Sequence, residues 1–353
     1  MTDELRTSTR DLVELRERLT AWLSGRVGEP AEVSEVRRPS ANGLSSETLF
    51  FTATWSDGRT RCVARLAPAA EAVPVFPSYD LRTQFETMRL AREKAGIPAP
   101  RALWFEPDPG HLGTPFFVME RHDGDVPPDL MPYTFEGWLH DAASQDRRRL
   151  QDASVGIIAA LHQAAFTARE LAPYGSGGLR AHVDGQRAYY AWALGKIRVP
   201  VLERAFDWLE AHWPRDPGPD VLCWGDARIG NLMFEDFTPV AVLDWEMAAL
   251  GPRELDLSWM IFLHRFFHDI AVALGLRGMP DFMRRDDVCR KYRELTGYEP
   301  RDMDFYEMYA ALRHGVIMAR VWLRRIHFGE QPMPDDPDDL VLHRTTIEEL
   351  LTG

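Results

Sequence analysis

Three polar side chains at the ends of short apolar segments constrain the fold and function of this chain more than any other feature. Asp226 and Asn231 lie five residues apart in one polar loop, and Asp244 follows 13 residues later at the end of an apolar run. The apolar runs around them predict short strands over residues 221–223, 232–234 and 240–243. Magnesium in phosphoryl-transfer sites typically takes one or two protein oxygens. The pattern therefore favours a loop that activates a hydroxyl beside a metal ion.

The order D-x4-N and then D matches the catalytic loop and the metal-binding aspartate of kinases. The letters around it, W-G-D-A-R-I-G-N, L-D-W-E and G-P-R-E-L-D, resemble the aminoglycoside phosphotransferase family. They are most similar to the branch that includes the kinase-like domains of some acyl-CoA dehydrogenases. The resemblance implies that Asp226 is the catalytic base and that Asn231 and Asp244 bind Mg²⁺. It also implies that Asp256 is a buried brace for the loop. Trp224 stands where the family usually has histidine, at a position that shapes the loop.

A structural role is the alternative for each of these residues taken singly. Asp and Asn in loops commonly bond to nearby backbone, and Asp256, just before LSWMIFL, also predicts a helix N-cap. The combination of Asp226, Asn231 and Asp244 in this order is much less common than a single Asp or Asn in a loop. We therefore interpret the three residues as a functional site.

The length and composition fit a globular protein of two domains or lobes. The chain has 353 residues, of which 45% are hydrophobic and 27% are charged. No apolar stretch approaches the roughly 20 residues that span a bilayer, and the N-terminal residues lack the apolar core of a signal peptide. Three scattered cysteines are too few for a disulfide framework or a zinc site. These features predict a cytoplasmic protein without a membrane partner.

The net charge of -13 is concentrated after residue 118. An acidic surface disfavours nucleic acid, whose binding normally needs a basic face, and so we expect no nucleic-acid partner. The same charge gives weak support to steering of a cationic substrate.

The pattern of apolar residues and turns predicts an α+β, protein-kinase-like fold. In the N-terminal part it indicates an amphipathic helix, a hairpin with its turn at Asp57-Gly58, a second helix and two further strands. Helices dominate after residue 146. We expect residues 1–118 to form a nucleotide-binding lobe of antiparallel strands, 119–125 a hinge, and 126–353 a mainly helical lobe for catalysis and substrate binding.

Five residues of the N-terminal part are candidates for the nucleotide site. Gly43 and Ser45 precede the first long strand, where small residues let backbone N–H groups approach phosphate; an ordinary loop is the alternative, since this is not G-x-G-x-x-G. The resemblance puts Arg65 where kinases have the lysine that clamps the phosphates, and arginine can hold phosphate through two bonds. Glu86 is its expected partner, with Glu93 as the alternative.

The resemblance also implies a hinge at which backbone groups of Glu120 and His122 bond adenine. Glu246, two residues after Asp244, is expected to support a second metal if the strand continues. We interpret His162 as a hydrogen-bonded structural histidine rather than a base. Residues 171–186 are glycine-rich and are expected to form a loop.

These features favour transfer of the γ-phosphoryl group of ATP, with GTP not excluded, to the hydroxyl of a small molecule in the presence of Mg²⁺. The alternatives are a hydroxyacyl-CoA kinase, which the aromatic C-terminal region and Arg65 favour slightly, and a non-catalytic binding protein on the same fold. The sequence determines neither the acceptor nor the oligomeric state.

Overall fold

The computed structural model describes residues 10–39, 46–68 and 72–353. Two compact units divide the chain. One contains Met1–Leu90 and Pro100–Asp123, and the other contains Ala91–Ala99 and Gly124–Gly353. Gly43 and Ser45, which were expected near phosphate, lie outside the described residues.

The first unit is built on an antiparallel sheet with the strand order β1-β2-β3-β5-β4. Its strands are β1 (Glu32–Val33), β2 (Glu47–Trp55), β3 (Gly58–Leu66), β4 (Ala102–Glu106) and β5 (Phe116–Glu120). The helices that begin in this unit are α1 (Leu12–Val27) and α2 (Leu81–Lys94).

The hairpin predicted at Asp57-Gly58 is confirmed, because Trp55 of β2 pairs with Gly58 of β3 across a two-residue turn. Side chains along β2 alternate between buried and partly exposed, as a strand with one face on a core requires. Helix α1 covers that face with buried leucines such as Leu19 and Leu23. The sheet therefore holds β3 and β5, which carry the proposed nucleotide-site residues, on a packed core.

The second unit is mainly helical. Its helices are α3 (Ser144–Gln163), α4 (Ala168–Leu171), α5 (Leu179–Leu194), α6 (Pro200–Ala211), α7 (Glu254–Ala273), α8 (Arg285–Thr296), α9 (Met303–His327) and α10 (Arg344–Thr352). Its strands form two antiparallel pairs, β6 with β9 and β7 with β8. They are β6 (Val221–Cys223), β7 (Leu232–Glu235), β8 (Thr238–Val242) and β9 (Ala249–Gly251). None of the helices in the described ranges is long and apolar enough to cross a membrane.

The loop expected over residues 171–186 is wrong for its second half, because α5 begins at Leu179. The glycines of the turn end at Gly178, whose φ of 88° precedes the helix, and the remaining glycine of the segment, Gly185, lies inside α5. Leu179 and Val183 then lie one turn apart and are both buried. Burial of this apolar pair outweighs the low helix propensity of the nearby glycines.

Candidate active site

The hairpin of β7 and β8 brings Asn231 and Asp244 to one end. Leu232 pairs with Val242, and the backbone N–H of Leu243 donates to the carbonyl oxygen of Asn231 at 2.9 Å. Asp244 follows directly and has a φ of 56°, which turns the chain away from the strand direction. Two residues 13 positions apart in sequence therefore flank the same hairpin end.

The carboxylate of Asp226 is held by side-chain donors on both oxygens. The amide nitrogen of Asn231 donates to Oδ2 at 2.6 Å and to the backbone carbonyl of Asp226 at 3.0 Å. The indole N–H of Trp259 in α7 donates to Oδ1 at 2.6 Å. The side chain of Asp226 remains 15% exposed. It is thus fixed in orientation without being closed off from a substrate.

Arg228 lies among three carboxylates beside this loop. Its Nε is 3.3 Å from Oδ1 of Asp226, and its Nη1 donates to Oδ2 of Asp129 at 2.6 Å. Burial lowers the pKa of the guanidinium, but nearby negative charge outweighs burial and raises it. The carboxylates responsible belong to Asp226, Asp129 and Asp244. Arg228 therefore stays charged and links the loop of Asp226 to the segment that contains Asp129.

Asp256 accepts two backbone hydrogen bonds from the start of the loop. Its Oδ2 accepts from the N–H of Trp224 at 2.7 Å, and its Oδ1 from the N–H of Gly225 at 2.8 Å. The N-cap predicted at Asp256 is wrong, since α7 already begins at Glu254. His162 is also bonded to Asp256, with its Nε2 3.1 Å from Oδ2. The carboxylate is fully buried, and its charge is balanced by these hydrogen bonds.

Trp224, the residue that departs from the usual histidine, ties the loop to the residue expected to bind metal. Its indole N–H donates to the carbonyl oxygens of Leu243 and Asp244 at 2.9 and 3.0 Å. The ring is fully buried. Tryptophan at this position thus supplies both the packing and a fixed connection to Asp244.

The donor set at the hairpin end fits Mg²⁺. The amide nitrogen of Asn231 is used by Asp226, so the amide oxygen is the group left for a ligand, and Asp244 adds a carboxylate. Oxygen ligands of this kind are those that Mg²⁺ prefers. A second group, His162, Cys223 and Asp256, has ligand atoms within 4.8 Å of one another. It does not fit a metal, because Asp256 is occupied by loop N–H groups and burial raises the pKa of the Cys223 thiol.

In the first unit, Arg65 lies on β3 and its Nη1 donates to the hydroxyl of Thr48 at 3.2 Å. The carboxylate of Glu86 accepts from Nε of Arg89 at 2.9 Å, and its pairing with Arg65 stays a prediction. The N–H of Glu120, at the end of β5, donates to the carbonyl oxygen of Arg101 at 3.0 Å.

His122 follows β5 by two residues, and its side-chain Nε2 is buried with no hydrogen-bond partner among the residues that the structure describes. Glu246 does not continue a strand, because β8 ends at Val242. The alternation of side chains along a strand therefore does not predict the direction of the Glu246 side chain. Its support of a second metal stays a prediction.

Sequence reasoning missed the roles of Trp259, Arg228 and Asp129 at this site. The ring of Trp259 is buried, and its N–H reaches a residue 33 positions away. The position of Arg228, two residues after Asp226, was the available signal for its contact with the loop. No sequence signal connects Asp129 with a residue 99 positions later.

A family model described as the phosphotransferase enzyme family matches residues 36–286. The chain therefore belongs to this family of phosphotransferases, and the resemblance predicted from the loop motif is confirmed. The two-unit α+β architecture is the kinase-like fold of the family's solved members, which confirms the predicted fold class.

A similarity to one curated relative extends over most of the chain. Acyl-CoA dehydrogenase family member 10 of Mus musculus is 26% identical over 276 residues, which are 75% of this chain and 24% of the relative. The chain thus spans about a quarter of that relative's length.

Two solved structures share the fold over nearly the whole chain. A candidate aminoglycoside phosphotransferase from Ralstonia eutropha JMP134 has a TM-score of 0.69 and 22% identity, covering 95% of this chain and 96% of its own. A thermostable mutant of the aminoglycoside phosphotransferase APH(4)-Ia, in a ternary complex with ADP and hygromycin B, has a TM-score of 0.57 and 13% identity, covering 95% and 98%.

Proposed function

We propose that this phosphotransferase moves the γ-phosphoryl group of ATP to the hydroxyl of a small molecule. The observation that carries the proposal is the geometry around Asp226. Its carboxylate is oriented by two N–H donors and remains partly exposed, while Asn231 and Asp244 flank one hairpin end beside it. Such an arrangement can bind a hydroxyl acceptor, a phosphate group and a metal ion.

In the proposed mechanism, Asp226 accepts a hydrogen bond from the acceptor hydroxyl and orients its oxygen for in-line attack on the γ-phosphorus. As the new O–P bond forms and the bond to the ADP oxygen breaks, the hydroxyl proton passes to the carboxylate. Asn231 and Asp244 would hold Mg²⁺, which when bound supplies positive charge for the phosphates. Asp256 and Trp224 keep the loop in place through the bonds to its backbone.

The nucleotide contacts are proposed for residues of the N-terminal part and the hinge. Arg65, with Glu86 as its partner, would neutralise phosphate charge, and the backbone of Gly43 and Ser45 would approach the phosphates. Backbone groups of the hinge residues Glu120 and His122 would bond adenine. The solved relative with ADP supports a nucleotide of this class, and GTP is the alternative that competition with ATP would identify.

The acceptor class has two candidates. Hygromycin B occupies the solved phosphotransferase of the same fold, which supports an aminoglycoside-like acceptor. The sequence relative named as an acyl-CoA dehydrogenase family member supports a hydroxyacyl thioester instead. Both present a hydroxyl group, and both are consistent with the same role for Asp226.

The experiment is a panel of hydroxylated acceptors, including aminoglycosides and hydroxyacyl-CoAs, assayed for acceptor-dependent release of ADP. We expect Asp226→Asn to lower kcat by about 10²- to 10⁴-fold, the usual range for a general base, and Asp244→Ala to abolish the magnesium-dependent reaction. Wild-type turnover by either variant contradicts the corresponding assignment.

A thermal-shift titration separates this function from the non-catalytic alternative. ATP with Mg²⁺ at 100 times its dissociation constant should add about 2.7 kcal/mol to the free energy of unfolding. A protein that is stabilised by the nucleotide but transfers phosphate to no acceptor is a binding protein, and one that no nucleotide stabilises is not a kinase.

A further inference from the structure

One face of α7 supports both the backbone and the side chain of the catalytic loop. Asp256 and Trp259 are three residues apart and so lie on the same side of the helix. The first accepts the N–H groups of Trp224 and Gly225, and the second donates to the carboxylate of Asp226. The position of Asp226 thus depends on the position of the Trp259 ring.

Arg313 of α9 contacts both of the groups that flank Asp226. Its Nη2 donates to the carbonyl oxygen of Gly225 at 3.3 Å. Its guanidinium carbon lies 4.6 Å from the centre of the Trp259 ring and 5.8 Å from that of Tyr309.

The charge of Arg313 is buried without an acidic partner. The residue is 3% exposed, and the ion pairs of residues 10–39, 46–68 and 72–353 do not include it. Its Nε is also buried, with no hydrogen-bond partner among the described residues. A buried charge is costly unless it is paired. The contacts with Trp259 and Gly225 offset part of this cost.

We propose that Arg313 and Trp259 form a positioning pair for Asp226. The positively charged guanidinium above the indole face attracts the ring's π-electrons. This polarisation makes the indole N–H a stronger hydrogen-bond donor to the carboxylate of Asp226. The bond to Gly225 fixes the backbone on the other side of Asp226. The pair therefore keeps the carboxylate in one orientation before the acceptor arrives, as catalysis by positioning requires.

The kinetic test rests on the proposed phosphotransferase function. Trp259→Phe removes the N–H and keeps an aromatic ring under Arg313, while Arg313→Met removes the charge and keeps an unbranched apolar side chain. We expect each variant to lower kcat about tenfold or more, with the KM for ATP changed by less than about twofold. The double variant should lose less than the product of the two single losses, because both residues act on the bond from Trp259 to Asp226.

Arg320→Met is the matched control. Arg320 lies on the same helix and also stacks on a tryptophan, with its guanidinium 4.6 Å from the ring of Trp192. We expect wild-type kcat in this control and a melting temperature for Arg313→Met that is no lower than that of the wild type, because an unpaired buried charge is removed. A fall in the melting temperature of Arg313→Met with unchanged kcat would make Arg313 a structural residue.

A second measurement does not need activity. In protein labelled with ¹⁵N-tryptophan, the indole resonance that disappears in Trp259→Phe reports the bond to Asp226. We expect Asp226→Asn and Arg313→Met each to move that proton resonance upfield and Arg320→Met to leave it in place. An unmoved resonance in Arg313→Met overturns the proposed pair, even if the wild-type protein proves to be inactive; inactivity of the wild type with every acceptor bears on the proposed function alone.

Discussion

The hydrogen-bond and ion-pair partners of the Asp226 carboxylate come from its own loop and from a distant helix. Asn231 belongs to the same loop, Trp259 lies in α7, and Arg228 connects to Asp129 on the segment before α3. A side chain fixed by donors from separate elements loses little further freedom when a substrate binds, and that is the physical content of a preorganised site. Two of these supports, Trp259 and Asp129, lie outside the loop that they hold.

Gly225 provides a sharp test of this packing. Its φ is 87°, in the left-handed region, and a Cβ at this position would overlap the carbonyl oxygen of Met247. We expect Gly225→Ala to lower the free energy of unfolding by about 3 kcal/mol or more, since both strain and backbone overlap oppose it. Urea unfolding followed by tryptophan fluorescence measures the change.

Gly156→Ala is the control for that substitution. Gly156 is in the interior of α3, and apart from the neighbouring backbone of its own helix no described atom lies within 4 Å of an added Cβ. Alanine should raise the free energy of unfolding there by about 0.5–1 kcal/mol. If the two variants behaved alike, the described packing around Gly225 would be wrong.

Sequence alone grouped Asn231 with Asp226 and missed the contacts that Arg228, Trp259 and Asp129 make at this loop. The spacing of Asn231 and Asp244 is visible in a linear motif, and the hairpin that unites them could be predicted from two apolar runs. The bond from Trp259 could not be predicted, because a tryptophan in an apolar helix has the same sequence pattern whether its N–H reaches a carboxylate or a carbonyl oxygen.

At the scale of elements, α7 has the largest part in forming the site. Its first turn presents Asp256 to the N–H groups of Trp224 and Gly225. Asp256→Ala would leave both of these donors buried without an acceptor. Because each such group costs about 1–3 kcal/mol, we expect a loss of roughly 2–6 kcal/mol in the free energy of unfolding.

Thermal unfolding of Asp256→Ala beside Asp256→Asn measures this loss. The amide retains one acceptor oxygen, so Asp256→Asn should fall between alanine and wild type. A melting temperature close to that of the wild type in Asp256→Ala would contradict the bracing contacts.

The error at α5 shows where element prediction from sequence stops. Glycines up to Gly178 indicate a loop correctly, but they do not indicate where the loop ends. The helix begins at Leu179 because that residue and Val183 find a buried position in the second unit. Such a position is a property of the assembled core, which a local pattern does not contain.

At the scale of the whole molecule, buried histidines should make the protein sensitive to acid. Burial lowers the pKa of His264 and of His343 to about 4. In the unfolded chain their pKa is about 6.5, so between these values the unfolded state binds protons that the folded state does not. Their contribution to stability is complete above pH 6.5 and is lost as the pH falls toward 4.

We expect the free energy of unfolding to fall by about 2 kcal/mol per histidine between pH 6.5 and pH 5. Urea unfolding at a series of pH values measures the slope, and His343→Asn should reduce it. Glu254 acts in the opposite direction, because burial raises its pKa. A flat stability profile across this range would show that the two histidines titrate normally in the folded protein.

The turn between β7 and β8 has a consequence for how distant relatives can be found. Asp236 and Phe237 form it with φ values of 46° and 60°, and it lies at the opposite end of the hairpin from Asn231 and Asp244. Evolution can add or remove residue pairs there, one on each strand, without moving Asn231 and Asp244 apart. The 13-residue interval between them is therefore a poor criterion for searching genomes, and a search that lets this interval vary in steps of two will recover members that a rigid motif overlooks.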